Sequence, residues 1–194
     1  AARAWAAVVW GSAPAPSAGA GEVNLRRVLD AIVGKLGFHG AALFLLSSDR
    51  SRLDFVLRVG HGEGEPLPAI DPGGGCLEAR VFRSGRLMIA KPEAGEEAGQ
   101  EPGVWTVCAP IRARGDVIGV LCAERPAAPG PVTREEAQAL AVFSNQTSSV
   151  LENWRLAEEN RAKIEQFVAL QRITREMTST LDIGKLLGMV AEEA

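Results

Sequence analysis

Histidine and cysteine are scarce in this chain, basic charge is not in excess, and no apolar run is long. Two histidines, His39 and His61, stand among 194 residues. They are too few for a multi-histidine metal site; a haem axial role is conceivable only for His61, and a plain loop histidine is the simpler reading. Three cysteines, Cys76, Cys108 and Cys122, form an odd and sparse set. It has neither the even count of a disulfide scaffold nor the spacing of a zinc site, and it suits a reducing cytoplasm. The longest apolar run near the start, Ala4 to Trp10, falls far short of the ~20 residues a membrane span needs, so no membrane segment is expected. A net charge of -3 and a pI near 5.5 leave no electrostatic footprint for direct nucleic-acid binding. The glycines of "DPGGG" and "GDVIGV" are not phosphate cradles, because no Lys-Ser or Lys-Thr follows them.

What is present is enough for one domain with a sizeable core and a helical extension: 46% hydrophobic and 23% charged residues. The chain opens at Ala1 without Met and stops inside a helix-like pattern, so it reads as a piece of a longer protein. Residues 1–21 read as an N-terminal arm followed by the linker "GSAPAPSAGAG", too small and Pro/Gly-rich to offset its ordering entropy. From Val23, apolar residues at Leu25, Val28, Leu29, Ile32 and Leu36 predict an amphipathic helix stopped by Gly37. "AALFLL" and "RLDFVLRVG" predict two strands joined by a polar turn. In the second, Leu53, Phe55, Leu57 and Val59 are expected on one buried face. "CLEARVFRSG" predicts a short helix ending at Gly85, and "LMIA" a brief strand. "KPEAGEEAGQEPG" is expected to be an acidic loop.

The stretch "VWTVCAPIRARGDVIGVLCAER" contains Arg114-Gly115-Asp116, which could be taken for an adhesion signal. Two apolar runs flank it, so a hairpin turn with glycine at a φ > 0 position is the better reading. A two- or four-residue turn pairs odd with even positions. Cys108 should then oppose Leu121 or Ala123, and Cys122 should point through the other face. Only a parity-changing bulge would let the two bridge, so both are expected to be buried, reduced and small.

Beyond the hairpin, Thr133 with Glu136 predicts a capping box opening a long helix to about Leu181. One apolar stripe runs through Leu140, Phe143, Thr147, Val150 and Trp154. A second runs through Ile164, Phe167, Leu170, Met177 and Leu181, lies beyond the reach of one sheet, and is expected to pair with its counterpart in a parallel homodimer.

The motifs "CLEARVFRSGRLMIA", "APIRARGDVIGVLCAE" and "TREEAQALAVFSNQTSSVLENWRL" occur in this order, and together they resemble a GAF domain. The resemblance implies an α+β fold. A central antiparallel sheet of five or six strands would carry helices on one face and a loop-roofed cavity on the other, followed by a long C-terminal helix. It implies three parts: 1–21 arm and linker, 22–156 GAF-like sensor domain, and 157–194 connector helix and the start of a following module. It further implies a non-enzymatic, small-molecule-sensing regulatory domain of a cytoplasmic signalling protein. The output domain would be a kinase, cyclase, phosphodiesterase, phosphatase or transcription activator, none of whose motifs is present. Neither histidine follows a cysteine as in bilin-binding relatives, and the Asn-Lys-Phe-Asp-Glu signature of cyclic-nucleotide-binding members is missing. The ligand and any cofactor are therefore left unassigned.

Four residues are the candidate ligand contacts: Cys76 and Phe82 on the short helix, Thr106 and Cys108 on the sheet floor. Cys76 opens a helix, where backbone N–H groups and the helix dipole are expected to lower a thiol pKa. Free methionine sulfoxide reductases share the fold and place a cysteine in a similar Gly-rich position. Their partner cysteines are absent from "EPLPAID" and from the acidic loop, so that activity is the alternative, beside a purely structural dimerisation module.

Overall fold

The computed structural model describes residues 19–91, 103–127 and 130–192, with side chains at 22–91, 103–127, 130–157 and 159–175. The N-terminal arm and most of the acidic loop lie outside these residues. Helix α1 (Gly19–Leu36) begins a turn before the expected Val23, taking in the last small residues of the linker stretch. Leu25, Leu29 and Ile32, at helical spacing, are fully buried, and Gly37 ends the helix in the left-handed conformation (φ 69°).

Strands β1 (Gly40–Leu46), β2 (Leu53–Gly60), β3 (Met88–Ala90), β4 (Val104–Ala113) and β5 (Asp116–Pro126) form one antiparallel sheet in the order β2-β1-β5-β4-β3. Between β2 and β3 lies the short helix α2 (Leu77–Ser84). After β5 comes α3 (Arg134–Glu192). The two central strands, β1 and β5, are apolar on both faces, as strands covered on both sides must be.

Alternate residues of β1, β4 and β5 divide the interior in two. Ala41, Leu43, Leu45, Val107, Ala109, Ile111, Leu121 and Ala123 pack with α1 and with Ala137, Leu140 and Leu151 of α3. Ala42, Phe44, Cys108, Val120 and Cys122 face the opposite side, with Leu77 and Val81 of α2. Phe143, Val150 and Trp154 of the first helical stripe join the α1/α3 core, and Thr147 is fully buried. The capping box forms as expected: Glu136 N–H donates to Thr133 Oγ1 (3.2 Å), and Thr133 N–H donates to the Glu136 carboxylate (2.7 Å).

Two bulges depart from simple alternation. On β2, Leu43 pairs with Leu57 but Phe44 pairs with Phe55, leaving Val56 as the extra residue. Leu53 and Phe55 therefore face α2, whereas Leu57 and Val59 face the α1/α3 core. The single buried face expected for the four is thus split between the two sides.

The second bulge lies in the β4–β5 hairpin. Its two-residue turn is Arg114-Gly115, both at positive φ (53° and 93°), and Asp116 already belongs to β5, paired with Ala113. The turn reading of Arg-Gly-Asp stands, with glycine at positive φ as expected. Arg112 pairs with Val117 but Ile111 pairs with Gly119, so Ile118 is the extra residue. From there to the open end the pairing parity is reversed. Gly119 beside this bulge must be glycine, because a Cβ there would run into the Phe44 carbonyl oxygen and come within 2.6 Å of Leu45 Cδ2.

The chain divides into two compact units, Ala1–Arg155 and Leu156–Ala194. The second is helical through Glu192, with Arg161 and Glu165 paired across one turn (3.2 Å). Ile164, Phe167 and Leu170 are 63%, 62% and 67% exposed. The side chains of Met177 and Leu181 lie outside the described residues. No helix among the described residues is long and apolar enough to cross a membrane.

Candidate functional site

The α2-facing side of the sheet is built from a floor, a roof and a polar end. Three rows make the floor. Phe44 and Val120 form the most apolar row, with the Phe44 ring edge-on to Phe55 at 5.9 Å. Ala42, Cys122 and Cys108 come next, and then Gly40, Glu124 and Thr106. The roof is α2, an eight-residue helix whose Leu77, Ala79 and Val81 are buried while Phe82 is partly so. The preceding loop supplies Leu67 and Ile70, and Ile70 forms a bridge back to Leu53.

Local chemistry holds the roof in place. The Asp71 carboxylate accepts from Gly73 N–H (2.8 Å), and the Asp71 carbonyl accepts from Gly74 N–H (2.9 Å), winding the glycine run into a tight turn. The Arg83 guanidinium reaches back from α2 to donate to the Gly74 carbonyl (2.7 Å) and the Pro72 carbonyl. Gly85, at φ 62°, closes the helix by donating to the Val81 carbonyl (2.8 Å).

All four expected contact residues come to this face, though in different roles. Phe82 packs against the α2-side cluster, and Thr106 is almost fully buried on the floor. Cys76 caps the start of α2, half-buried, with no hydrogen bond from its side chain to the helix end. Its thiol pKa is raised, not lowered as the helix-dipole argument suggested. Burial is the largest cause and the adjacent Glu78 carboxylate adds to it, outweighing the Ala79 and Glu78 amides that act the other way.

Cys108 departs furthest from expectation. Because the Ile118 bulge reverses the hairpin parity, Cys108 lies directly opposite Cys122 with a Cα–Cα distance of 4.1 Å, and the two are joined as a disulfide. Both are essentially buried. The expected pair of independent reduced thiols on opposite faces is thereby corrected, and the cause is the extra residue in β5.

Three residues of the site, Glu78, Arg58 and Glu124, were not singled out from the sequence. Cys122 was placed on the wrong face. Glu78, on α2, has a carboxylate oxygen within 4.8 Å of both bridged sulfurs. Arg58 and Glu124 form an ion pair at 2.9 Å at the polar end, the arginine being only 8% exposed. For Glu124 a signal was available, since it lies two residues from Cys122 on the same face; Arg58 shares that face only through the strand register that sets it opposite Ala42. His39 and His61 stack on one another beyond this end, ring centroids 4.6 Å apart, and their backbones hydrogen-bond (2.8 Å).

This arrangement sets an apolar floor directly beneath α2, with an arginine–carboxylate pair and a hydroxyl at one end and the bridged cysteines in the middle row. No curated protein matches the chain. Among solved structures, the GAF-B domain of DevS from Mycobacterium smegmatis superposes with a TM-score of 0.58 at 21% identity, covering 74% of this chain and 98% of that one. A methyl-accepting chemotaxis protein segment, residues 122 to 287, gives 0.57 at 19%, covering 71% and 91%. The free methionine-R-sulfoxide reductase of Neisseria meningitidis, solved with its substrate, gives 0.58 at 19%, covering 71% and 81%. At these identities the likeness is one of fold. The GAF domain family profile, by contrast, matches residues 22–153, most of the chain, taking in the five strands, α2 and the first helical stripe as far as Val150. The chain therefore belongs to the GAF domain family.

Proposed function

We propose that this chain is a non-enzymatic sensory and regulatory domain of a cytoplasmic signalling protein. It holds a small molecule against the α2-covered floor and relays occupancy through α3. One observation carries the reading: β4 and β5 serve both sides at once. Thr106, Cys108, Val120 and Cys122 face the roof, while the residues between them, Val107, Ala109 and Leu121, pack in one core with Leu140 and Leu151 of α3. A ligand that shifts the floor displaces the surface on which the helix rests, since close-packed interiors transmit such shifts rather than absorb them. In this setting the Cys108–Cys122 bridge is a redox-active pair rather than a structural staple, because cytoplasmic disulfides are rarely permanent.

The relay needs a partner for the second helical stripe, and the proposal assigns a parallel homodimer. Ile164, Phe167 and Leu170 recur at intervals of three on an exposed helix, and Met177 and Leu181 continue the stripe in the sequence. Sedimentation equilibrium of residues 1–194, compared with a chain ending at Trp154, is expected to give a dimer for the first and a monomer for the second. Monomers in both at high micromolar concentration would remove this route. Native mass spectrometry after gentle purification is expected to show a retained small molecule, lost when Arg58→Met and Thr106→Val empty the polar end. A chain that carries nothing and binds nothing from a metabolite extract would leave the structural dimerisation module as the better reading.

The proximity of three cysteines to one helix favours a second reading, reduction of free methionine sulfoxide. Attack on the sulfoxide sulfur requires a thiolate, and burial beside the Glu78 carboxylate raises the Cys76 thiol pKa, which disfavours that form. No turnover is expected with free methionine-R-sulfoxide and dithiothreitol; turnover abolished by Cys76→Ser would replace the sensory reading with the enzymatic one.

A further inference from the structure

The middle row of the floor gathers soft and hard donors from three separate elements. Cys108 of β4, Cys122 of β5 and Glu78 of α2 place two sulfurs and a carboxylate oxygen all within 4.8 Å of one another. From these positions we infer that, once the Cys108–Cys122 bridge is reduced, the site binds one thiophilic divalent cation of the zinc class through Cys108, Cys122 and Glu78.

The distances required are close to those present. Tetrahedral zinc with Zn–S of about 2.3 Å and Zn–O of about 2.0 Å sets its donors about 3.5–3.8 Å apart, so the two sulfurs must separate when their bond is cleaved and the Glu78 oxygen, already within 4.8 Å of both, has at most about 1 Å to close. The strands need not move far, since the thiols project from directly paired residues toward the same roof. The site also suits the cation's demands. Both sulfurs are buried, and a divalent cation bound between them supplies the positive charge that buried thiolate ligands need. Glu78 is half-buried in the first turn of α2, so of the three donors it is the one nearest solvent. The Cys76 thiol hydrogen-bonds to the Glu78 carboxylate.

The chemistry balances in two steps. A low-molecular-weight thiol, RSH, reduces the bridge: the disulfide and two RSH give two protein thiols and RSSR. The cation then takes both sulfurs and the carboxylate, and two protons leave. Oxidation by a disulfide or peroxide reverses the first step and expels the ion, so metal occupancy reports redox state. This inference does not depend on the small-molecule reading above, since it concerns only these three donors.

Anaerobic titration of the full chain with Co2+, before and after reduction and removal of reductant, tests it. Reduced protein is expected to bind one equivalent, with intense near-ultraviolet thiolate-to-cobalt absorption and the strong visible bands of a tetrahedral site, both discharged by Zn2+. Air-oxidised protein, folded and chemically identical but for the bridge, is expected to show neither. Glu78→Gln leaves both thiols in place and is expected to weaken binding by roughly tenfold or more, while Cys76→Ser keeps the sulfur-to-cobalt absorption. The inference is overturned if reduced wild-type protein shows no sulfur-to-cobalt absorption, if Cys122→Ser retains it, or if Glu78→Gln binds as tightly as wild type. Circular dichroism of each variant distinguishes loss of the site from loss of the fold, and for an unfolded Cys122→Ser the oxidised wild type stands in its place.

Discussion

Reducing the Cys108–Cys122 bridge should lower the stability of the domain by about 2 kcal/mol, with about 3 kcal/mol as the ceiling. The ceiling follows from chain entropy: the cysteines are 14 positions apart, and releasing a closed loop of about 15 residues returns about 3 kcal/mol of freedom to the unfolded chain. Two features of the structure set where within that ceiling the effect falls. The bridged segment is a hairpin with a two-residue turn at Arg114-Gly115, so its ends meet often in the unfolded chain and the bond removes less freedom than it would from a featureless loop. Against this, reduction gives the native state nothing in return: both thiols remain packed among Ala42, Val120, Leu77 and Val81, and neither gains solvent. For a domain of this size each kcal/mol moves the melting midpoint by about 4 °C. The expected shift is therefore about 8 °C. The assay is thermal unfolding followed by circular dichroism with and without a phosphine reductant. A Cys76→Ser background prevents thiol exchange, and intact mass confirms the gain of two hydrogens. A Cys108→Ala/Cys122→Ala chain should ignore the reductant. Coinciding midpoints for fully oxidised and fully reduced protein would refute the reasoning, because a bridge whose loss costs nothing does not constrain this hairpin.

Other perturbations test other parts of the structure. Gly119→Ala should cost about 2–3 kcal/mol, since the new Cβ meets the backbone of β1 at Phe44 and Leu45 and neither can yield without breaking the β1–β5 ladder. Gly115→Asn, in open space and strained only through its φ of 93°, should cost about 1 kcal/mol or less when both variants are unfolded by urea titration; equal losses would place the clash argument in error. Arg125, nearly buried, donates to Glu136 at 2.7 Å and to the Pro131 carbonyl, and lies over the Phe38 ring. A double-mutant cycle of Arg125→Met and Glu136→Gln is expected to give a coupling of about 1–2 kcal/mol at pH 7, above that of an exposed pair. Burial pushes the Glu136 carboxyl up, but the Thr133 amide and Arg125 outweigh it and hold it below its ordinary 4.5. The coupling is thus complete above that value and fades as pH falls beneath it, and a pH-independent coupling would contradict the assignment. Asp49, held at about 2 by the Ser47 hydroxyl and by the amide and hydroxyl of Ser51, should stabilise the β1–β2 turn fully above 3.8 and lose that contribution between 3.8 and about 2. In carbon-detected NMR titration Ser47→Ala should return it toward 3.8; an unmoved midpoint would show that the hydroxyl plays no part.

The elements of this fold are legible in the sequence because their causes are local. The capping box at Thr133, the left-handed stops at Gly37 and Gly85, and the Arg114-Gly115 turn each depend on a few neighbouring residues, and each forms where it was read or within a residue of it. The first stripe of α3 was legible for the same reason, since a period of three and four marks one side of a helix whatever covers it. What the sequence conceals is non-local. A bulge is settled by the pairing of two strands, and a run such as "RGDVIGVLCAER" carries no mark that Ile118 will be the unpaired residue. Gly119 beside it is the only hint, and it acquires meaning once the Phe44 carbonyl is seen against it.

The candidate site suffers most from this, because it is made almost wholly of non-local contacts. Alternation tells which residues of β5 share a face, and it correctly groups Val120, Cys122 and Glu124. It cannot say whether that face meets Cys108 or turns from it, and a shift of one residue decides between the two. The same shift on β2 divides Leu53 and Phe55 from Leu57 and Val59. Read as regular strands, the chain has three isolated cysteines and a conventional wet edge at Arg58 and Glu124. With two extra residues, Val56 and Ile118, it has a bridged dithiol beneath a carboxylate, flanked by a partly buried ion pair. Chemistry in this domain is therefore a property of register rather than of composition, and substitutions that alter the bulges should change the site more than substitutions of equal size elsewhere in the sheet.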